Sequence, residues 1–109
     1  MHELGIAQQI VELACEGAAG ARVTRIVVAI GKLSMVLPDA LDFCFDLATE
    51  RTAAEGAKLE IIETPGMARC RACAAAVALD RPFGRCTCGS TDLDWTSGEE
   101  LEIREVEVV

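Results

Sequence analysis

The stretch CRACAAAVALDRPFGRCTCGS, residues 70–90, constrains this chain more than any other part of it. It places Cys70-x2-Cys73 twelve residues before Cys86-x-Cys88-Gly89. Two close pairs separated by a short hairpin match a tetrahedral thiolate zinc site, each pair supplying two corners. A segment of this size has too little apolar surface to fold alone, and metal ligation supplies the missing free energy. Four thiolates leave no open position on a tetrahedral ion, so the expected zinc is structural. The second pair is one residue shorter than the C-x2-C of a zinc ribbon, which tightens its turn. Gly89 relieves that crowding, because glycine accepts backbone angles that other residues avoid. Two other readings use the same residues: a pair of disulfides, and a thiol redox switch.

The charge balance narrows these options. Eighteen acidic residues stand against ten basic ones, a formal net charge of −8 at pH 7. Such a chain repels phosphate backbones, so nucleic acid is not an expected partner, while a cation or a basic protein surface is. No apolar run approaches the ~20 residues of a membrane span. The first residues lack a basic-then-apolar export signal. The expected compartment is therefore the cytoplasm, where clustered cysteines mean metal more often than disulfides. Cys15 and Cys44 lie in helical segments of small and apolar residues and read as buried hydrophobes rather than ligands.

Hydrophobic periodicity organises the remainder. From Leu4 to about Ala19, Ile6, Ile10, Leu13 and Ala14 recur at helical spacing, and Gly20 is a natural stop. RVTRIVVAI alternates as a strand does, with Ile26, Val28 and Ile30 on one face, and Gly31 breaks it. Pro38 suits the first turn of a second helix, favoured by Asp39 and Asp42. Leu41, Cys44, Phe45 and Ala48 are its buried stripe, and Gly56 ends the segment. Lys58–Glu63 reads as a strand closed by Pro65-Gly66. The tail EELEIREVEVV alternates strongly, and its apolar positions switch from odd to even around Arg104-Glu105, which suggests a bulge. The expected fold is α+β: two helices packed on a small mixed three-stranded sheet, with an inserted zinc-ribbon-like module. Residues 1–66 and 96–109 form the αβ domain, and residues 67–95 the inserted module.

The only histidine is His2, next to Glu3 in the opening MHELGIAQQI. A free α-amine, the following amide nitrogen and an imidazole at position 2 can chelate one metal in adjoining rings. Planar nitrogen donors suit Ni(II) or Cu(II), with the fourth place falling to Glu3, a further amide or a partner. The competing reading is an incidental histidine at a chain end, with Glu3 serving only as a favourable charge at a helix start.

MHELGIAQQIVE, the AEGAKLEI-type second strand, the CRAC…CTCGS module and the SGEELEIREVEV tail together resemble the HypA/HybF family of nickel metallochaperones. The resemblance runs essentially end to end. It implies that His2 is a nickel ligand, supported by backbone nitrogens of the first residues and by Glu3. It implies that Cys70, Cys73, Cys86 and Cys88 hold zinc. A two-part fold is implied as well, a nickel-binding αβ domain and a zinc domain. So is work alongside a HypB-like nickel-binding GTPase, with delivery of Ni(II) into a [NiFe]-hydrogenase large subunit and, in some relatives, service to urease. The chain is expected to act as a monomer or homodimer.

Two other classes stay in view. A zinc-ribbon module for nucleic acid has only Arg69, Arg71, Arg81 and Arg85 near the cysteines to offer. A thiol redox protein would release zinc and form disulfides on oxidation. An enzyme is not expected, because one histidine at the extreme terminus assembles no acid–base or nucleophile set.

Overall fold

The computed structural model describes residues 3–109. Along the chain the elements run α1 (Glu3–Ala18), β1 (Val23–Gly31), α2 (Pro38–Thr49), β2 (Lys58–Thr64), β3 (Gly66–Cys70), β4 (Ala76–Leu79), β5 (Leu93–Ser97) and β6 (Leu101–Val108). They form two compact units. The first ends at Ala29 and resumes with Val36–Ile62 and Glu102–Val109; the second is Ile30–Met35 with Glu63–Leu101.

In the first unit, α1 buries Ile6, Ala7, Ile10, Val11 and Ala14. This is the expected stripe with one correction: Leu13 is 52% exposed, and Val11 takes the inward place. The helix ends through two successive left-handed residues, Ala19 (φ 51) and Gly20 (φ 92), so the stop begins one residue before the glycine. α2 opens with Pro38 at its first turn and buries Leu41, Phe45 and Thr49, with Cys44 and Ala48 half-buried. It stops at Thr49, earlier than Gly56. The intervening residues close instead as successive turns, with Thr52, Glu55 and Ala57 each donating to the carbonyl three residues back.

The sheet of this unit has the order β2-β1-β6. Val109 N donates to Arg22 O and Thr24 Oγ1 to Glu107 O, so β6 runs antiparallel to β1. β2 follows β1 by way of α2, and Arg25 meets Glu60 while Lys32 N donates to Thr64 O, a parallel register. The sheet is therefore mixed. As its central strand, β1 is buried on both faces from Ile26 to Gly31, which hides the alternation legible in the sequence. Arg25 reaches across the sheet to Glu60 on β2 and to Glu105 and Glu107 on β6, the Glu105 contact being 2.7 Å. In β6 the half-buried positions are Ile103 and Val106, three apart, so burial follows the odd-to-even switch of the sequence.

The second unit holds a sheet of its own, antiparallel, in the order β4-β3-β5. A register irregularity between Met67 and Ala68 interrupts the β3–β5 pairing. Its core is small: Leu33, Ala68 and Leu79, with Val77, Leu93 and Trp95 packed against them. Leu33 enters from residues 30–35, far from the cysteines in sequence. Backbones approach closely beside it, since a Cβ at Gly31 would lie 1.8 Å from the Gly98 carbonyl oxygen.

Candidate metal centre

The four cysteines are brought together by the ends of short elements. Cys70 closes β3, and Cys73 lies in the turn that follows, where Ala74 N donates to Cys70 O and Ala74 takes φ 65. Cys86 and Cys88 sit in a second tight turn, held by Gly89 N to Cys86 O (2.8 Å) and Cys86 N to Ser90 O (2.9 Å). Gly89 has φ 96, the left-handed conformation that the shortened C-x-C pair requires. Arg85 locks this turn further by donating to Gly89 O at 2.7 Å.

All four Sγ atoms lie within 4.8 Å of one another. The short contacts cross between the pairs: Cys70 to Cys88 at 3.7 Å and Cys73 to Cys86 at 3.5 Å. Zn–S bonds of about 2.3 Å in a tetrahedron put sulfurs about 3.8 Å apart, so the donor set fits zinc. No disulfide is formed in this structure, because all six cysteines are free thiols and the shortest sulfur contacts far exceed an S–S bond of about 2 Å. Cys15 and Cys44 are half-buried and lie outside the cluster.

Each pair combines one buried and one exposed sulfur: Cys70 and Cys86 are 1% and 3% exposed, whereas Cys73 and Cys88 face solvent. Their protonation follows the same division. The Cys73 amide, then that of Ala72, holds the Cys70 thiol down to about 6. The Cys88 amide lowers Cys86 in the same way. The Ala75 amide pulls Cys73 down, but the sulfurs of Cys86, Cys70 and Cys88 together push it up to about 12. Cys88 is likewise raised by Cys70 and Cys86, against the pull of the Ser90 amide. Backbone dipoles thus ready two of the four sulfurs as thiolates for a dication.

Of the two expected amino-terminal ligands, His2 lies outside the described residues. Glu3 is half-buried in the first turn of α1, and its Oε2 accepts the Leu37 N–H at 3.3 Å. No sequence signal pointed to that partner, 34 positions away. Among the described residues, the four cysteines are the cluster suited to a metal, and no helix is long and apolar enough to cross a membrane.

The family described as "Hydrogenase/urease nickel incorporation, metallochaperone, hypA" matches residues 1–108. A hydrogenase maturation factor HypA from Trichormus variabilis is 56% identical over 108 residues, covering 99% of this chain and 96% of that protein. One from Geotalea uraniireducens is 44% identical, covering 99% of both. Among solved structures, the nickel metallochaperone HypA from Helicobacter pylori superposes with a TM-score of 0.68 at 23% identity, over 100% of this chain and 98% of that one. With the match running from the Met-His-Glu start through the four-cysteine module to the last strand, the chain belongs to the HypA family.

Proposed function

We propose that this protein carries Ni(II) on its first residues and passes it to a hydrogenase large subunit. Its place in nickel incorporation for hydrogenase maturation is that of its family. The finer reading is that His2, with the α-amine and the following amide nitrogen, takes the nickel, while Glu3 supports that site. Cys70, Cys73, Cys86 and Cys88 would hold a structural zinc, whose contribution is to fix two tight turns around a core of few residues. The observation that carries the reading is the family match over residues 1–108, which begins at the Met-His-Glu run.

A carrier must hold its cargo against weak competitors and yet release it. A site on the first residues suits this, because ligands can be exchanged one at a time and completed by a partner. Nickel on deprotonated backbone nitrogen and neutral imidazole is lost as acid returns those protons, and a free imidazole takes one near pH 6.5. The proposed partners are a HypB-like nickel-binding GTPase and the [NiFe]-hydrogenase large subunit, with urease a further client in some relatives. The chain would work in the cytoplasm, as monomer or homodimer, and catalyse no reaction itself.

Calorimetric nickel titration of the zinc-loaded protein tests this, against His2→Ala and a form with two residues added before Met1. One nickel bound by the native form and lost in both variants is the expected result. Equal binding by all three would place the nickel elsewhere and overturn the terminal site.

A further inference from the structure

We propose that the outer face of α2 docks a partner protein that sets apolar side chains among lysines and arginines. Asp39, Asp42, Phe43, Asp46, Leu47 and Glu50 are all exposed and follow one another at three- and four-residue steps, which makes them one helical stripe. Phe43 is 71% exposed and Leu47 50%. One turn apart, they form a single apolar ridge. The helix already has its core face in Leu41 and Phe45, at 0% and 1% exposure, so the ridge lies outside that core. Four carboxylates flank it.

The charge pattern says what covers this ridge. Among the described residues, no ion pair reaches Asp39, Asp42, Asp46 or Glu50. Three of the five cations of the same unit are committed elsewhere: Arg25 to Glu60, Glu105 and Glu107, Arg104 to Glu102, and Arg22 to the Glu55 carbonyl. The first unit holds twelve acidic residues against five basic ones. A second copy of this face would bring like charges together, and a nucleic acid would be repelled. An apolar ridge edged with unpaired carboxylates is complementary to an apolar surface edged with Lys and Arg. The charges steer the encounter and the ridge supplies the buried anchor.

The inference rests on the reading of the chain as a carrier with a GTPase partner, because that purified nickel-binding GTPase is the probe. Its affinity for the full-length, zinc-loaded chain is measured by biolayer interferometry for wild type, Phe43→Ser, Leu47→Ser and the double variant Asp42→Lys/Asp46→Lys. Unchanged melting temperatures and zinc content report that the variants fold, as exposed positions should allow. The expected result is a loss of roughly tenfold or more for Phe43→Ser and for the charge reversal. Wild-type affinity should also fall as salt rises, and the charge-reversed form should lose that dependence. Binding of all variants like wild type would overturn the α2 face while leaving the partner reading intact. No binding by wild type would overturn both. A wild-type dimer in sedimentation that Phe43→Ser converts to monomer would give the face to a second copy, and the inference would fall.

Discussion

Glu3 and Leu37 are joined by a hydrogen bond from the Leu37 amide to Glu3 Oε2, 3.3 Å long. Leu37 is the N-cap of α2 and has no side chain able to cap. A carboxylate from the first turn of α1 therefore meets an amide at the start of α2, and two helix beginnings are tied by one side chain. The bond engages Oε2, one of the two carboxylate oxygens. Glu3 thus has a structural duty beside any ligand role, which a sequence reading of Met-His-Glu alone does not separate.

Substitution separates the two. Glu3→Gln keeps an acceptor oxygen for the Leu37 amide, whereas Glu3→Ala removes it. Glu3→Ala should cost about 1 kcal/mol or less, because the bond is exposed. It should also speed hydrogen exchange at the Leu37 amide, with Glu3→Gln close to wild type. If positioning is what Glu3 gives the nickel site, Glu3→Ala should weaken nickel binding more than Glu3→Gln. Equal losses in both would show that the charge itself matters.

Zinc uptake should release fewer than four protons at pH 7.5. Cys70, held down to about 6, is already a thiolate there and has none to lose. Cys73, pushed up to about 12, gives one proton, and Cys88, also raised, gives another. Cys86, lowered, contributes less than an unshifted thiol would. The expected count is roughly two to three, since each ligand must be deprotonated to bind. Calorimetry in buffers of different ionisation enthalpy measures it. Near pH 5, below the Cys70 value, the count should approach four and zinc affinity should fall.

The cysteine centre was legible because ligand spacing is a local property: Cys70 with Cys73 and Cys86 with Cys88 each fit one turn. The helices and β1 were legible from periodicity over many residues. The sheet β4-β3-β5 was not, because GMARC, AVAL and LDWTS are too short to show a period. Its core was hidden for another reason. Leu33 packs with Ala68 and Leu79 across more than thirty positions, and no local pattern encodes such a contact. The inward turn of Val11 in place of Leu13 shows the remaining limit, since a helical stripe has several apolar candidates and tertiary packing selects among them.

Chelation of zinc should unfold the second unit selectively, and Trp95 reports it. This is the only tryptophan in the chain, and it packs on Leu33, Ala68 and Leu79. With so few core residues, the unit depends on the metal for its free energy. EDTA should therefore shift Trp95 fluorescence to the red. Ellipticity at 222 nm should change little, because both helices belong to the first unit. A coincident loss of both signals would show that the two units unfold as one.

Gly31 and Gly89 are both glycines by necessity, for opposite reasons, and alanine should tell them apart. At Gly89 an added Cβ meets nothing within 4 Å, so the cost is the left-handed backbone alone, about 1–2 kcal/mol. At Gly31 the backbone angle is ordinary, but the Cβ would lie 1.8 Å from the Gly98 carbonyl oxygen and 2.7 Å from the Glu99 nitrogen. Neither is the end of a flexible side chain that could swing away. Gly31 N also donates to Glu100 O at 2.7 Å, so the strands cannot part without losing that bond. Gly31→Ala should therefore cost about 3 kcal/mol or more, the upper range for overpacking. In thermal melts of the zinc-loaded forms, Gly89→Ala should melt slightly below wild type and keep its zinc. Gly31→Ala should melt far lower. The reverse order would mean that the approach of Gly31 to Gly98 is looser than its geometry states.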